Sequence, residues 1–165
     1  MVSELTRKEA FEYICSAKMR DMQEEDFKEI FLDMCMDYQS GVVSEAIKRK
    51  AVLESIHYDF RGAPNKFVAN YIKETFGENV VVTGKQEDLL PCPCCGARSL
   101  TELYDRKCGT GYDICEHCGW EDDGTVDLKQ NSSVNKGTML DYRRKLPVTI
   151  SGNPRWIFVN TGRDI

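Results

Sequence analysis

Four cysteines constrain this chain more than any other feature. Cys92, Cys95, Cys115 and Cys118 follow the pattern C-x2-C-x19-C-x2-C, a spacing used by zinc ribbons. Two cysteines separated by two residues can aim both sulfurs at one ion from a tight turn, with turn amides donating to the thiolates. Each pair is followed directly by glycine, Gly96 and Gly119, the residue best able to adopt the dihedrals that close such a turn. Two such turns supply four thiolates at about 2.3 Å from one ion, a tetrahedral site with no open position. The segment between Cys92 and Cys118 is rich in turn residues and too short to bury a conventional core. Units below about 40 residues usually need a staple. The expectation is one structural Zn2+ held by Cys92, Cys95, Cys115 and Cys118. A redox reading would need a single C-x-x-C pair at a helix N-terminus in a βαβ setting, which the sequence lacks.

The remaining thiols and histidines are secondary. Cys94 could replace Cys92 or Cys95, but only by losing the matched C-x-x-C-G turn, so it is expected to point away from the metal. His117 lies between two ligands, where a side chain usually faces outward; both stay open as substitute ligands. Cys108 reads as a free thiol in the arm between the turns, Cys15 and Cys35 as small core residues on helices, and His57 as packing or surface.

The first 82 residues read as a domain of about four helices. Thr6 and Glu9 fit a capping box opening a helix to about Met19. Phe27, Ile30, Phe31, Met34, Cys35 and Tyr38 form one apolar stripe that Ser40-Gly41 ends. Ser44 can cap a third helix to about Tyr58, with Ile47, Ala51 and Val52 facing inward. A fourth starts near Pro64-Asn65, carries Phe67, Val68, Tyr71, Ile72, Thr75 and Phe76 on one face, and ends at Gly77. Val80-Val81-Val82 then signals a strand. In residues 83–165, ribbon strands are expected at Arg98–Tyr104 and Gly111–Ile114, with a third at Trp156–Val159. The fold class is therefore α+β: an N-terminal helical domain over 1–82, then a small zinc ribbon with short antiparallel strands over 83–165.

The residues Cys92-Pro93-Cys94-Cys95-Gly96, Tyr112-Asp113-Ile114-Cys115, Cys118 and Trp120-Glu121-Asp122-Asp123-Gly124 resemble a family of small bacterial proteins named for its cysteine-rich CPCC motif. Asn135, Gly137 and Arg143 are similar to the family's later segment, an Asn-x-Gly followed by a short helix bearing an arginine. The resemblance spans about 90–145 and departs from the family in a longer insertion around Asp105–Gly111. It implies a zinc-ribbon-like fold. It also implies, by association, an immunity protein that neutralises a bacterial toxin.

Composition narrows the function classes. The net charge is −5; residues 1–83 carry 11 basic and 15 acidic side chains, and residues 84–165 carry 11 and 12. Neither half has the basic excess that phosphate neutralisation requires, which disfavours nucleic acid as a partner. No stretch approaches the roughly 18 apolar residues of a membrane helix. The N-terminus MVSELTRKEAFEY lacks the apolar core of a secretory signal, so a cytoplasmic location is expected. There is no phosphate loop, no H-E-x-x-H and no G-x-S-x-G, and a tetrathiolate zinc is coordinatively full. The expectation is a non-enzyme. Trp120, Glu121, Asp122 and Asp123, an aromatic beside carboxylates, are candidates for partner recognition, with a solvated turn as the plainer alternative. A protein that binds and neutralises a toxin is the leading functional expectation; a nucleic-acid-binding or transcription-associated ribbon and a structural adaptor are the alternatives.

Overall fold

The computed structural model describes residues 2–34, 42–146 and 153–159. The chain divides into two compact units, Met1–Arg61 with Asn65–Gln86, and Gly62–Pro64 with Glu87–Ile165. The class is α+β, helical in the first unit and zinc-ribbon-like in the second. Among the described residues, no helix is long and apolar enough to cross a membrane.

The first unit runs β1 (Ser3–Thr6), α1 (Arg7–Asp21), α2 (Glu24–Asp33), α3 (Glu45–Asp59), α4 (Asn65–Phe76) and β2 (Val80–Thr83). Helix α1 starts where the capping box puts it. The Thr6 hydroxyl accepts from the Glu9 amide, and the Glu9 carboxylate accepts the Thr6 amide at 2.8 Å. Ser44 caps α3 through the Ile47 amide, and Gly77 (φ +77°) ends α4 by donating its amide to the Lys73 carbonyl. The core takes Phe11 and Ile14 from α1, Phe31 from α2, Val52 and Ile56 from α3, and Val68 and Ile72 from α4. Cys15 is fully buried among them. Of the stripe expected on α2, Phe27 and Phe31 are buried, while Cys35, Tyr38 and the stop at Ser40-Gly41 lie outside the described residues.

Two expectations for the helices are corrected. Ile47 is 46% exposed, and Lys48 faces inward in its place. Lys48 can do so because its ammonium meets Glu24 at 2.8 Å and lies 4.6 Å from the Phe27 ring centre, while its alkyl stem covers apolar surface. Thr75 is likewise exposed, at the polar edge of the α4 stripe.

The β1 strand gave no signal in the sequence. It pairs in parallel with β2, Ser3 opposite Val80 through Thr6 opposite Thr83. Such pairing joins segments almost 80 residues apart. Just beyond it, buried Arg7 donates to the Phe60 carbonyl at 2.8 Å and to Asn65 Oδ1 at 3.0 Å.

The second unit holds β3 (Leu90–Pro91), β4 (Arg98–Leu100) and α5 (Met139–Lys145). The β3 and β4 strands pair antiparallel around the first C-x-x-C turn. The expected strand at Arg98–Tyr104 is thus shortened to Arg98–Leu100, and its partner is β3 and not Gly111–Ile114. That second segment is not a strand: Tyr112 sits at φ +62°, incompatible with extended backbone, and Gly111 presses against the Tyr104 backbone. The Asp113 carboxylate replaces the ladder by accepting the Thr101 and Glu102 amides at 2.6 and 3.2 Å. The expected third strand is reduced to an isolated bridge, Ala97 to Phe158, flanked by bonds from the Arg98 amide to the Ile157 carbonyl and from the Val159 amide to the Gly96 carbonyl. Leu100, Trp120, Met139 and Trp156 pack with the cysteines into this unit's core.

Candidate metal centre

The two C-x-x-C-G turns are built alike. In the first, the Cys92 amide donates to the Ala97 carbonyl at 2.8 Å and the Gly96 amide to the Cys92 carbonyl at 2.9 Å. In the second, the Cys115 amide donates to the Trp120 carbonyl at 2.8 Å and the Gly119 amide to the Cys115 carbonyl at 2.7 Å. Gly96 and Gly119 adopt φ of +79° and +73°, which a side chain would strain.

These turns bring Cys92, Cys95, Cys115 and Cys118 together with all four sulfurs within 4.8 Å of one another. Cys92 Sγ stands 3.7 Å from Cys118 Sγ, and Cys95 Sγ stands 3.6 Å from Cys115 Sγ. Around a tetrahedral centre with metal–sulfur bonds of about 2.3 Å, neighbouring sulfurs are about 3.8 Å apart, so the donor set fits one metal ion. Cys92 and Cys115 are buried, while Cys95 and Cys118 are partly exposed.

The electrostatics agree with a cation-binding cluster. Hydrogen bonds from Cys118, Cys92 and Cys95 hold the Cys115 thiol far below its ordinary range, and the Ser99 hydroxyl adds a further donor at 3.0 Å. The thiols of Cys92, Cys95 and Cys118 are driven up, first by their bonds to Cys115. A bound cation would favour ionisation of all four thiols.

Cys94 is fully buried and outside the four-sulfur set, its thiol 3.6 Å from the Met139 carbonyl, but it also bonds to Cys118, which lowers its pKa. The buried Arg143 side chain on α5 donates from Nε to the Cys94 carbonyl at 2.6 Å. The bonds at Met139 and Arg143 fasten α5 to the first turn. His117 stacks edge-on against Phe158, ring centres 5.0 Å apart. Cys108 is an exposed free thiol.

The acidic segment after the second turn corrects an expectation. Trp120 is fully buried and meets Tyr142 edge-on at 5.1 Å, so it cannot serve as an exposed recognition aromatic. Asp122 is 4% exposed and accepts the Tyr104 and Gly124 amides. Asp123 accepts the Thr125 amide and the Ser132 hydroxyl; burial raises its pKa, but these bonds outweigh that and leave the carboxyl below its usual range. Glu121 exchanges two backbone bonds with the Asn135 side chain, both at 2.9 Å. Trp120 and Asp122 are thus interior, Glu121 and Asp123 remain partly exposed, and the segment organises the loops beside the sulfurs. Asn135 and Arg143 were visible through the family resemblance; Ser99 carried no signal, because a serine in a short strand announces nothing.

Residues 90–145, about a third of the chain, match the family model described as cysteine-rich CPCC. No curated protein and no solved structure matches the chain.

Proposed function

Because residues 90–145 belong to the cysteine-rich CPCC family, we propose that this chain is a zinc-stabilised, non-catalytic protein that acts by binding another protein. The observation that carries the metal part is the sulfur geometry, with cross-pairs at 3.7 and 3.6 Å and all four sulfurs within 4.8 Å. Four thiolates suit zinc or iron. Zinc is the natural occupant of a closed four-thiolate site made from two C-x-x-C turns, and there it would supply folding free energy. Four thiolates fill its coordination, leaving no position for a water or substrate. That supports a structural role over a catalytic one. Metal analysis by native mass spectrometry, with a visible absorption spectrum, tests this part: one zinc and no colour is expected, and the absorption of an iron–thiolate centre would replace zinc by iron.

The binding role rests on the family resemblance and on charge. A net charge of −5 suits a basic partner, for which complementary charge speeds encounter and selects against others. A bacterial toxin domain acting in the cytoplasm is the partner that the resemblance implies. A search for a toxin reading frame beside this chain's gene, followed by co-expression with its product, tests this: growth restored by this chain is expected, and undiminished killing would remove the immunity reading while leaving the metal site untouched.

A further inference from the structure

Helix α2 presents two faces with different work to do. Phe27 and Phe31 are buried in the helical core. Asp26, Glu29, Ile30 and Asp33 stand at offsets 0, 3, 4 and 7, one stripe along a neighbouring face. That stripe lines an open groove of about 500 Å3 within the first unit. Its apolar floor draws on all four helices: Ala17, Ile30, Val52, Tyr71 and Phe76. Its edge is acidic. Among the described residues, Asp21, Asp26, Glu29 and Asp33 all border it, against one cation, Lys18, which faces Asp59 at 3.9 Å. Asp26 also serves the α2 cap by accepting the Gln23 amide. Among the described residues, Glu29 and Asp33 are exposed and hold no ion pair.

We infer that this groove is the docking surface for a partner protein, and that the segment it takes is an amphipathic helix with an apolar stripe and flanking lysines or arginines. An apolar floor contributed by several helices fits side chains at i, i+3, i+4 and i+7 of such a segment. Three excess negative charges around the edge, four carboxylates against the Lys18 ammonium, select basic flanks and repel acidic ones. The inference rests on the reading of the chain as a protein-binding module and names the surface it uses.

The test uses the full metal-loaded chain and two synthetic 18-residue helical peptides, one of leucine and lysine and one of leucine and glutamate, with leucine at i, i+3, i+4 and i+7. Binding is followed by fluorescence anisotropy and by amide chemical shifts. Three proteins are compared: wild type, the double variant Glu29→Lys/Asp33→Lys, and the charge-matched control Glu4→Lys/Glu102→Lys at exposed positions outside the groove. Circular dichroism checks that each is folded. The expected result is that the lysine peptide shifts groove amides and weakens with salt. Its affinity should fall about 10-fold or more in the groove variant, with a much smaller drop in the control and no binding of the glutamate peptide. Equal weakening in both variants, or shifts spread over the whole surface, would reduce the effect to net charge and overturn the groove. Self-association of wild type abolished by the groove variant would also overturn it, making a second copy the occupant. A protein partner that binds the groove variant as tightly as wild type would sink this inference alone; binding of no protein partner would sink the function it rests on.

Discussion

In the first unit, seven large apolar side chains from four helices, Phe11 to Ile72, are fully or almost fully buried. In the second, three of the eight buried core residues are cysteines, and regular secondary structure among the described residues is limited to two short strands and the seven-residue helix α5. The helices of the first unit satisfy their own backbone and need side chains only at caps. The loops of the second satisfy theirs through side chains: Asp113, Asp122, Asp123 and Asn135 each take backbone amides. A core built by apolar burial is held by many small contributions. On the proposed reading, one built around four thiols and a bound ion concentrates its stability in a single centre.

Removing the metal therefore breaks the comparison most sharply. Chelation should collapse the second unit and leave the first folded, because structural zinc contributes roughly 10 kcal/mol or more to small thiolate domains. Amide NMR spectra before and after chelation read both units at once; uniform persistence of residues 90–145 would contradict the account. The reciprocal change, Ile56→Ala, removes a fully buried side chain from the first unit and should cost about 3 kcal/mol of its stability, with metal content unchanged. Denaturant unfolding with parallel metal analysis checks both halves of that statement.

Asn135→Ala should cost about 2 kcal/mol in the second unit, since it strips Glu121 of both backbone partners. Faster metal loss to a competing chelator is the readout, and unaltered loss would mean the loops do not support the sulfurs. The smallest effect is at the first cap. Thr6→Ala should lower first-unit stability by about 1 kcal/mol. Hydrogen bonds from Thr6 hold Glu9 below its ordinary value of 4.5. The stabilisation is thus complete above that value and is lost as pH falls through the lower folded-state value. The difference between wild type and variant should shrink over that acid range.

Much of this contrast could be read from the sequence where the signal is local. The Thr6–Glu9 box, the Ser44 cap, the α4 stripe and the spacing of the four cysteines are all set by neighbours a few positions apart. What escaped was set by distant partners. Parallel pairing of Ser3–Thr6 with Val80–Thr83 has no local mark, and Lys48 turns inward only because Glu24 and Phe27 are waiting. The strand expected at Gly111–Ile114 failed for a similar reason, since the Asp113 carboxylate takes the amides that a ladder would have used. Trp120 beside three carboxylates looked like a surface, and only tertiary packing shows the indole buried against Tyr142.

The central claim is that four of the cysteines, and not Cys94, hold one ion. Native mass spectrometry of wild type beside Cys115→Ser and Cys94→Ser tests it in one experiment. The account predicts one zinc per chain in wild type and in Cys94→Ser, whose buried thiol sits by the Met139 carbonyl, and loss of the ion in Cys115→Ser. Equal metal loss in the two variants would contradict the ligand set, and a wild-type chain carrying no metal would contradict the centre itself.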